Sequence, residues 1–523
     1  MIDDSVFLPR ITSHYPLASP VQSRQTMEIL PADIFLQLQI FLNKEDFLQL
    51  LQVSKSTHMS WRQYRQLSLN TEYTLTYMTS KDFRIRVSEL IVNPGRQLGL
   101  HFPFLSDAPD ITLIHELHSL KLCCSMISDV SGLKNVENLY LNGCSEITDV
   151  SQLGSVKHLN LFGCKGVSDV SALGGVHSLN LSCCSKITDV SALGGVHNLT
   201  LLSCKNLTDV SALGRVHTLD LSKCTELSDV SALSSVHNLT LRGCCLIENV
   251  SALGGVHTLD LSDCRRITDV SSLGSVHTLK LLNCDQIVDV SALGTVHTLD
   301  LSGCRRVSNV NNLGDVYNLN LSGCVFVSDV SALGKCHVLN CGSCCRIRDV
   351  SMLGQIHTLK LHCCTSITDV SSLGRVHHLS LRLCSGIVDV SALVGVYSLD
   401  LFGCTKITDV RALGSVHTLN LSRCDHVTDV SSLGKVHTLD LSRCKHITDV
   451  SALGGVQVLD ISRCFGVTDV SALGKVRTLN LEGCNQIKKY WTSDCDGNNI
   501  LNTSIHSIRF VNGTIEKASF GCL

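Results

Sequence analysis

From residue 131 to about 488, apolar and polar positions repeat every twenty residues without a gap. Each unit reads V-x-x-L-x-L-x-x-C-x-x-I-T-D-V-S-x-L-G, as in Val256, Leu259, Leu261, Cys264, Ile267, Val270 and Leu273. Leu259 and Leu261 stand two apart, which predicts a short strand whose alternate side chains turn inward. By the same alternation, Thr258, Asp260 and Ser262 point outward. The T-D-V-S-x-L-G segment supplies a Thr and an Asp that can cap a turn and a Gly that ends it. Too few residues remain for a long helix, so the back of each unit is expected to be 3₁₀ or irregular turn. An unbroken period of this length predicts a stacked solenoid in place of several globular domains.

The motif LxLxxCxxITDVSxL resembles the leucine-rich-repeat family in its cysteine-containing form, and it covers about 370 of the 523 residues. The resemblance implies an α/β solenoid: a leucine-rich-repeat superhelix with a parallel, concave β-sheet and a convex side of short 3₁₀ turns. It also implies that the Cys column, filled from Cys124 to Cys484, takes the place of a ladder Asn and faces the interior. A buried thiol acts as a small hydrophobe with a weak donor, which accounts for nineteen of the 28 cysteines. At about 4.8 Å per strand the regular units would extend roughly 80 to 90 Å.

Net charge is −3 and the pI about 6.7, which gives no reason to expect nucleic acid or an anionic membrane surface as partner. Asp, His or Gly interrupts every apolar run, so no membrane span is expected. The opening MIDDSVFLPR lacks an apolar h-region, so no signal peptide is expected, and a reduced, cytoplasmic or nuclear setting fits the cysteine usage. The Asn238-Leu-Thr240 type of sequon falls inside a strand and is a product of the repeat. The terminal GCL is not a prenylation box, because Cys522 stands second from the end.

Twelve units carry His seven residues before the Cys: His177, His197, His217, His237, His257, His277, His297, His337, His357, His377, His417 and His437. Zinc bound between these two columns is not expected, because the Cys faces inward while the His lies at the outer start of the strand. Closely spaced imidazoles resist joint protonation, so mild acid is expected to loosen the array. A local cluster of sulfur comprises Cys336, Cys341, Cys344, Cys345, Cys363 and Cys364; Cys336 and Cys341 occupy the columns of an inward Val and Leu, so the cluster is read as thiol replacing aliphatic in the core and not as a metal or redox site. No glycine-rich phosphate loop, nucleophile elbow or paired-carboxylate motif occurs, and the Asp149 column falls at a turn cap. No enzymatic activity, cofactor or metal is expected.

Units differ mainly at the outward strand position and at the two residues on each side of the Cys. Arg423, Arg443 and Arg463 share a column with Lys445 and His446 beside them, a basic ridge suited to an acidic or phosphorylated segment of a target protein. Asp440 and Asp460 are placed to offset that charge. Arg265, Arg266, Arg305 and Arg306 form a second basic place.

Residues 29–61, ILPADIFLQLQIFLNKEDFLQLLQVSKSTHMSW, depart from the repeat and read as short helices with an apolar stripe at helical spacing. Forty residues with that stripe need a cover. The segment resembles the F-box at Leu30, Pro31, Asp33, Ile34, Leu38, Leu42, Asp46, Phe47 and Val53, and departs from it at Thr57, where Trp is common; Trp61 follows one turn later.

An F-box ahead of leucine-rich repeats implies a substrate-recognition subunit of a cullin-RING (SCF-type) ubiquitin ligase. Leu30, Pro31, Ile34, Leu38, Leu42, Phe47, Leu50 and Val53 would dock a Skp1-type adaptor and, through it, the cullin, while the concave face captures the target. Two alternatives stand beside it: an interaction scaffold that recruits no ligase, and a decoy that sequesters adaptor. Such near-identical repeats resemble those of large DNA viruses and expanded protist families, in which case the setting is the host cell. The expected organisation is a leader over 1–25, F-box-like helices over 26–70, an irregular first repeat over 71–116 in which VNPGRQLGL loops out, an array over 117–488 whose first unit slips by one, and a cap over 489–523.

Overall fold

The computed structural model describes residues 118–123 and 126–493, together with short strands at 66–69, 97–102, 499–502, 510–511 and 514–515. The F-box-like segment and Cys124 lie outside the described residues. The chain divides into two compact units, Met1–Ser68 with Thr79–Leu98 and Leu69–Met78 with Gly99–Leu523; the array belongs to the second.

Nineteen parallel strands run from Ser119–Leu122 to Thr478–Asn480, each hydrogen-bonded to the next. The register is constant: Thr258 pairs with Thr278, Leu259 with Leu279 and Asp260 with Lys280, always twenty residues on. Only the first step differs, Ser119 pairing with Asn138, which is the expected slip of one residue. Upstream, residues 99–102 already pair with 119–122, so the loop expected over VNPGRQLGL gives way to a strand at Gln97. Leu98, Leu100 and Phe102 recur with the period of two that favours a strand. These coils make the fold a leucine-rich-repeat solenoid.

Within one coil the strand is three residues long, its central Leu buried and its flanks half-buried. Hydrogen bonding to the next coil continues past the strand: Leu261 N–H donates to the Lys280 carbonyl at 2.8 Å and Asp263 N–H to the Leu282 carbonyl at 2.7 Å. The chain then closes inward through Cys264 N–H to the Leu261 carbonyl (3.1 Å) and Ile267 N–H to the Cys264 carbonyl (3.4 Å). On the far side Asp269 Oδ1 accepts the N–H of Ser271 at 2.9 Å and opens the 3₁₀ turn Ser271–Ser275. That confirms the Asp column as a turn cap. All seven interior positions, Val256 through Leu273, are buried in coil after coil. Each such Leu contributes about 1.5–3 kcal/mol of burial, and none could be covered without its neighbours.

Every described ladder thiol from Cys164 to Cys484 donates to the carbonyl of the Leu or equivalent residue 23 positions earlier, for example Cys264 Sγ to Leu241 at 3.1 Å. That carbonyl already accepts the N–H of Cys244, so the thiol occupies its second lone pair and ties adjacent coils together beneath the strands. Burial pushes the thiols up, to about 12 for Cys264 and about 11 for Cys184, so they remain protonated donors; Cys344, which a hydrogen bond from Cys341 holds down, is the exception. Cys336 and Cys341 are buried in the columns of Val and Leu, as expected.

One outward column is more covered than its alternation suggests. Ser262 is only 2 % exposed, and Ser182, Ser222, Ser302 and Ser422 in the same column are buried too, while Phe162 and Arg382 in that column stay at the surface. The Asp260 carboxylate accepts the Ser262 N–H at 2.9 Å, and in the matching coils the Ser222 and Ser302 hydroxyls donate to Asp220 and Asp300, so these small side chains lie against the strand-face carboxylates. The next residue then takes φ between +57° and +77° in every coil from Gly143 to Gly483: seven are Gly and eleven are not. At the carboxyl end Lys488 and Lys489 N–H groups donate to the Thr468 carbonyl at 2.7 and 3.2 Å, and Tyr490–Ser493 pairs antiparallel with Asn499–Asn502.

These positions sort the thiols by reactivity. Under native conditions a neutral alkylating reagent is expected to label the exposed Cys245 and Cys345 while the ladder from Cys144 to Cys464 stays unmodified until denaturant is added. Peptide mass spectrometry reads the outcome, and native labelling of the ladder would contradict the buried column.

Candidate protein-binding face

The strand face carries two parallel tracks. Its inner columns, at the positions of Thr258 and Asp260, are half-buried, and their Asp and Asn side chains are largely committed to the fold. Asp220, Asp440 and Asp460 each accept the N–H two residues later at 2.8 Å, and Asp460 also accepts from Asn480 Nδ2 at 2.8 Å. The expected neutralisation of the arginine ridge by Asp440 and Asp460 is therefore not seen: their carboxylates are turned onto their own backbone.

The outer track is the His column, and the structure shows it as a continuous stack. Fourteen rings follow one another from His177 to His437, with Tyr317 and Tyr397 standing in for His. Neighbouring centroids are 4.5 to 4.9 Å apart and the rings are near parallel. Strand spacing sets this distance, because each ring leaves the backbone at the same point of successive coils: His257 N–H donates to the His237 carbonyl at 3.1 Å. The second anchor is local, His297 Nδ1 lying 3.2 Å from Thr298 Oγ1 and His437 Nδ1 3.2 Å from Thr438 Oγ1. Partial desolvation, then the neighbouring imidazoles, hold His217 and His257 below the ordinary histidine range. The sequence signal for Tyr317 and Tyr397 was their place in the column; reading His alone missed them.

Arg423, Arg443 and Arg463 fall on consecutive coils at the positive-φ position, all exposed. Arg423 stands over the Phe402 ring at 5.4 Å, and Arg382 covers that ring at 4.3 Å while donating to Asp400 at 3.0 Å. Arg463 lies 3.7 Å from Glu482, and Lys445 pairs with Asp425 at 3.0 Å. The ridge is thus an aromatic ring between two guanidinium groups, continued by Arg443 and Arg463; sequence reading found the arginine column but not Phe402 or Arg382. The second basic place is less concentrated. Arg265 and Arg266 are separated from Arg305 and Arg306 by the coil of Asp285 and Gln286, Arg266 pairs with Glu248 at 3.1 Å, and Arg306 donates to Gln286 at 2.8 Å.

No helix among the described residues is long and apolar enough to cross a membrane. No protein-family model matches the chain, and no curated protein matches it. Among solved structures it is similar to an internalin, InlF, of Listeria monocytogenes (18 % identity, 71 % of this chain and 94 % of that one, TM-score 0.32). It is similar also to the functional domain of InlJ from the same organism, which includes a cysteine ladder (19 %, 71 % and 86 %, TM-score 0.34). A third is the Leptospira interrogans leucine-rich-repeat protein LIC12759 (16 %, 76 % and 93 %, TM-score 0.31). With TM-scores this low, the fold assignment rests on the coils themselves.

The ring stack carries a pH prediction. A base whose folded pKa is depressed leaves the unfolded chain binding more protons, so stability is retained above about pH 6.5 and lost as pH falls below it. Thermal melts are expected to move downward between pH 7 and pH 5.5, and a flat melting temperature across that window would contradict the coupling.

Proposed function

We propose that this chain is a protein-capture scaffold whose strand face holds a target, and that residues 29–61 make it the substrate-recognition subunit of a cullin-RING ubiquitin ligase. The observation that carries the first part is the division of labour within each coil. Seven interior columns repeat almost unchanged, while the exposed positions around the Cys vary, so the array is a fixed support for a written surface. The second part rests on the F-box resemblance at Leu30, Pro31, Ile34, Leu38, Leu42, Phe47, Leu50 and Val53, residues that would engage a Skp1-type adaptor and, through it, the cullin, while the array holds the target. The receptor itself does no chemistry; it raises the local concentration of target lysines near a charged ubiquitin-conjugating enzyme.

The target chemistry that fits the ridge of Arg382, Phe402, Arg423, Arg443 and Arg463 is an acidic or phosphorylated segment. Arg265, Arg266, Arg305 and Arg306 offer a weaker second contact, since Glu248 and Gln286 already engage part of it.

Two measurements address the two parts separately. The full chain is expected to co-purify with a Skp1-type adaptor, and the combined change Leu30→Ala, Pro31→Ala and Phe47→Ala is expected to abolish the complex; a folded wild-type chain that captures no adaptor removes the ligase reading and leaves the scaffold. Replacing Arg423, Arg443 and Arg463 together by Gly preserves the backbone, since Gly403 and Gly483 hold the same conformation in neighbouring coils. That variant should bind a phosphoserine-containing acidic peptide at least about tenfold more weakly, given roughly 1.5–3 kcal/mol per charged hydrogen bond. Unchanged affinity would take the ridge out of the binding surface.

A further inference from the structure

Among the described residues one place brings three metal-ligating side chains together. His357 and His377 are consecutive rings of the stack, 4.9 Å between centroids and 9° between planes. His378 follows His377 and occupies the strand-face column that holds Thr358 and Ser398 in the adjoining coils. Its ring stands edge-on to both neighbours, 5.4 Å and 66° from His357 and 4.4 Å and 70° from His377. One ligand nitrogen from each of the three lies within 4.8 Å of the other two.

We propose that His357, His377 and His378 form a binding site for a divalent transition-metal ion of the zinc class. Imidazole nitrogens sit about 2.0–2.1 Å from zinc, which places nitrogens around one tetrahedral ion about 3.3 Å apart. Turning the exposed rings of His357 and His377 toward His378 closes that difference. His357 Nδ1 lies 3.1 Å from Thr358 Oγ1, which leaves Nε2 as its ligand atom. Three protein ligands leave a fourth position open to water.

The rest of the array supplies an internal contrast. His158 occupies the same column as His378 and meets His177 edge-on at 5.8 Å and 88°, but Lys157 stands where His377 would be, so only two imidazoles meet there. The ladder thiols cannot contribute, because they are buried on the other side of the sheet. The site therefore depends on His378, a single departure from the repeat.

The test is a calorimetric titration of the untagged full chain with Zn²⁺ at neutral pH, with the visible absorption of bound Co²⁺ as a second readout of the ligand field. One saturable equivalent is expected. His378→Thr restores the residue of Thr358, and His357→Tyr the ring of Tyr317, so both keep the coil while removing a ligand. Each should weaken binding by at least the roughly 10–100-fold that loss of a supporting group costs a metal site. His237→Gln, in a stack position distant from the trio, should leave it unchanged. No saturable equivalent in the wild-type chain overturns the proposal, as does equal weakening by His237→Gln and His378→Thr, which would assign the metal to the stack at large.

Discussion

The structure depends on one constraint: each coil must present its backbone to the next at the same register, twenty residues on. Strand pairing enforces it on one side, and the thiol ladder enforces it underneath. The Leu241 carbonyl accepts both the Cys244 N–H of its own coil and the Cys264 thiol of the next, so closing one turn and joining two turns share one acceptor. An inserted residue would break both bonds at once and turn seven apolar side chains out of register. Thiols suit the position because they fill space like an aliphatic group, and burial keeps them protonated and therefore donating.

Once the interior fixes the register, the exterior acquires geometry without further design. Any residue repeated at one position becomes a row at strand spacing. Imidazoles at the strand start become a ring stack, and guanidinium groups at the positive-φ position become a ridge. That last position is costly for a residue with a side chain, of order 1 kcal/mol or more each. Yet it is Arg in three consecutive coils where Gly serves in seven others. The fold does not ask for Arg there, which argues that the surface does.

Much of this was legible in the chain itself. The period, the buried columns, the Asp caps, the 3₁₀ backs and the burial of Cys336 and Cys341 follow from spacing and residue type alone. What was not legible required either a local override or lateral adjacency. The Ser262 column is buried where it carries Ser, although Phe162 and Arg382 at the same position stay at the surface, a covering that alternation cannot anticipate. Gln97–Phe102 forms a strand that covers the last residues of a stretch read as a loop. The pairing of Arg382 and Arg423 across Phe402, and the meeting of His357 with His377 and His378, involve residues about twenty apart that only stacked coils bring into contact.

The central claim is that a single register runs through the array, and amide hydrogen exchange resolved coil by coil tests it most directly. The N–H groups of the Leu261 and Cys264 columns should exchange slowly and to similar extents in every coil from Leu161 to Cys444, including the sulfur-rich coil of Cys336, Cys341 and Cys344. Fast exchange confined to one interior coil, dividing two protected blocks, would contradict a continuous array and show that the register is broken there.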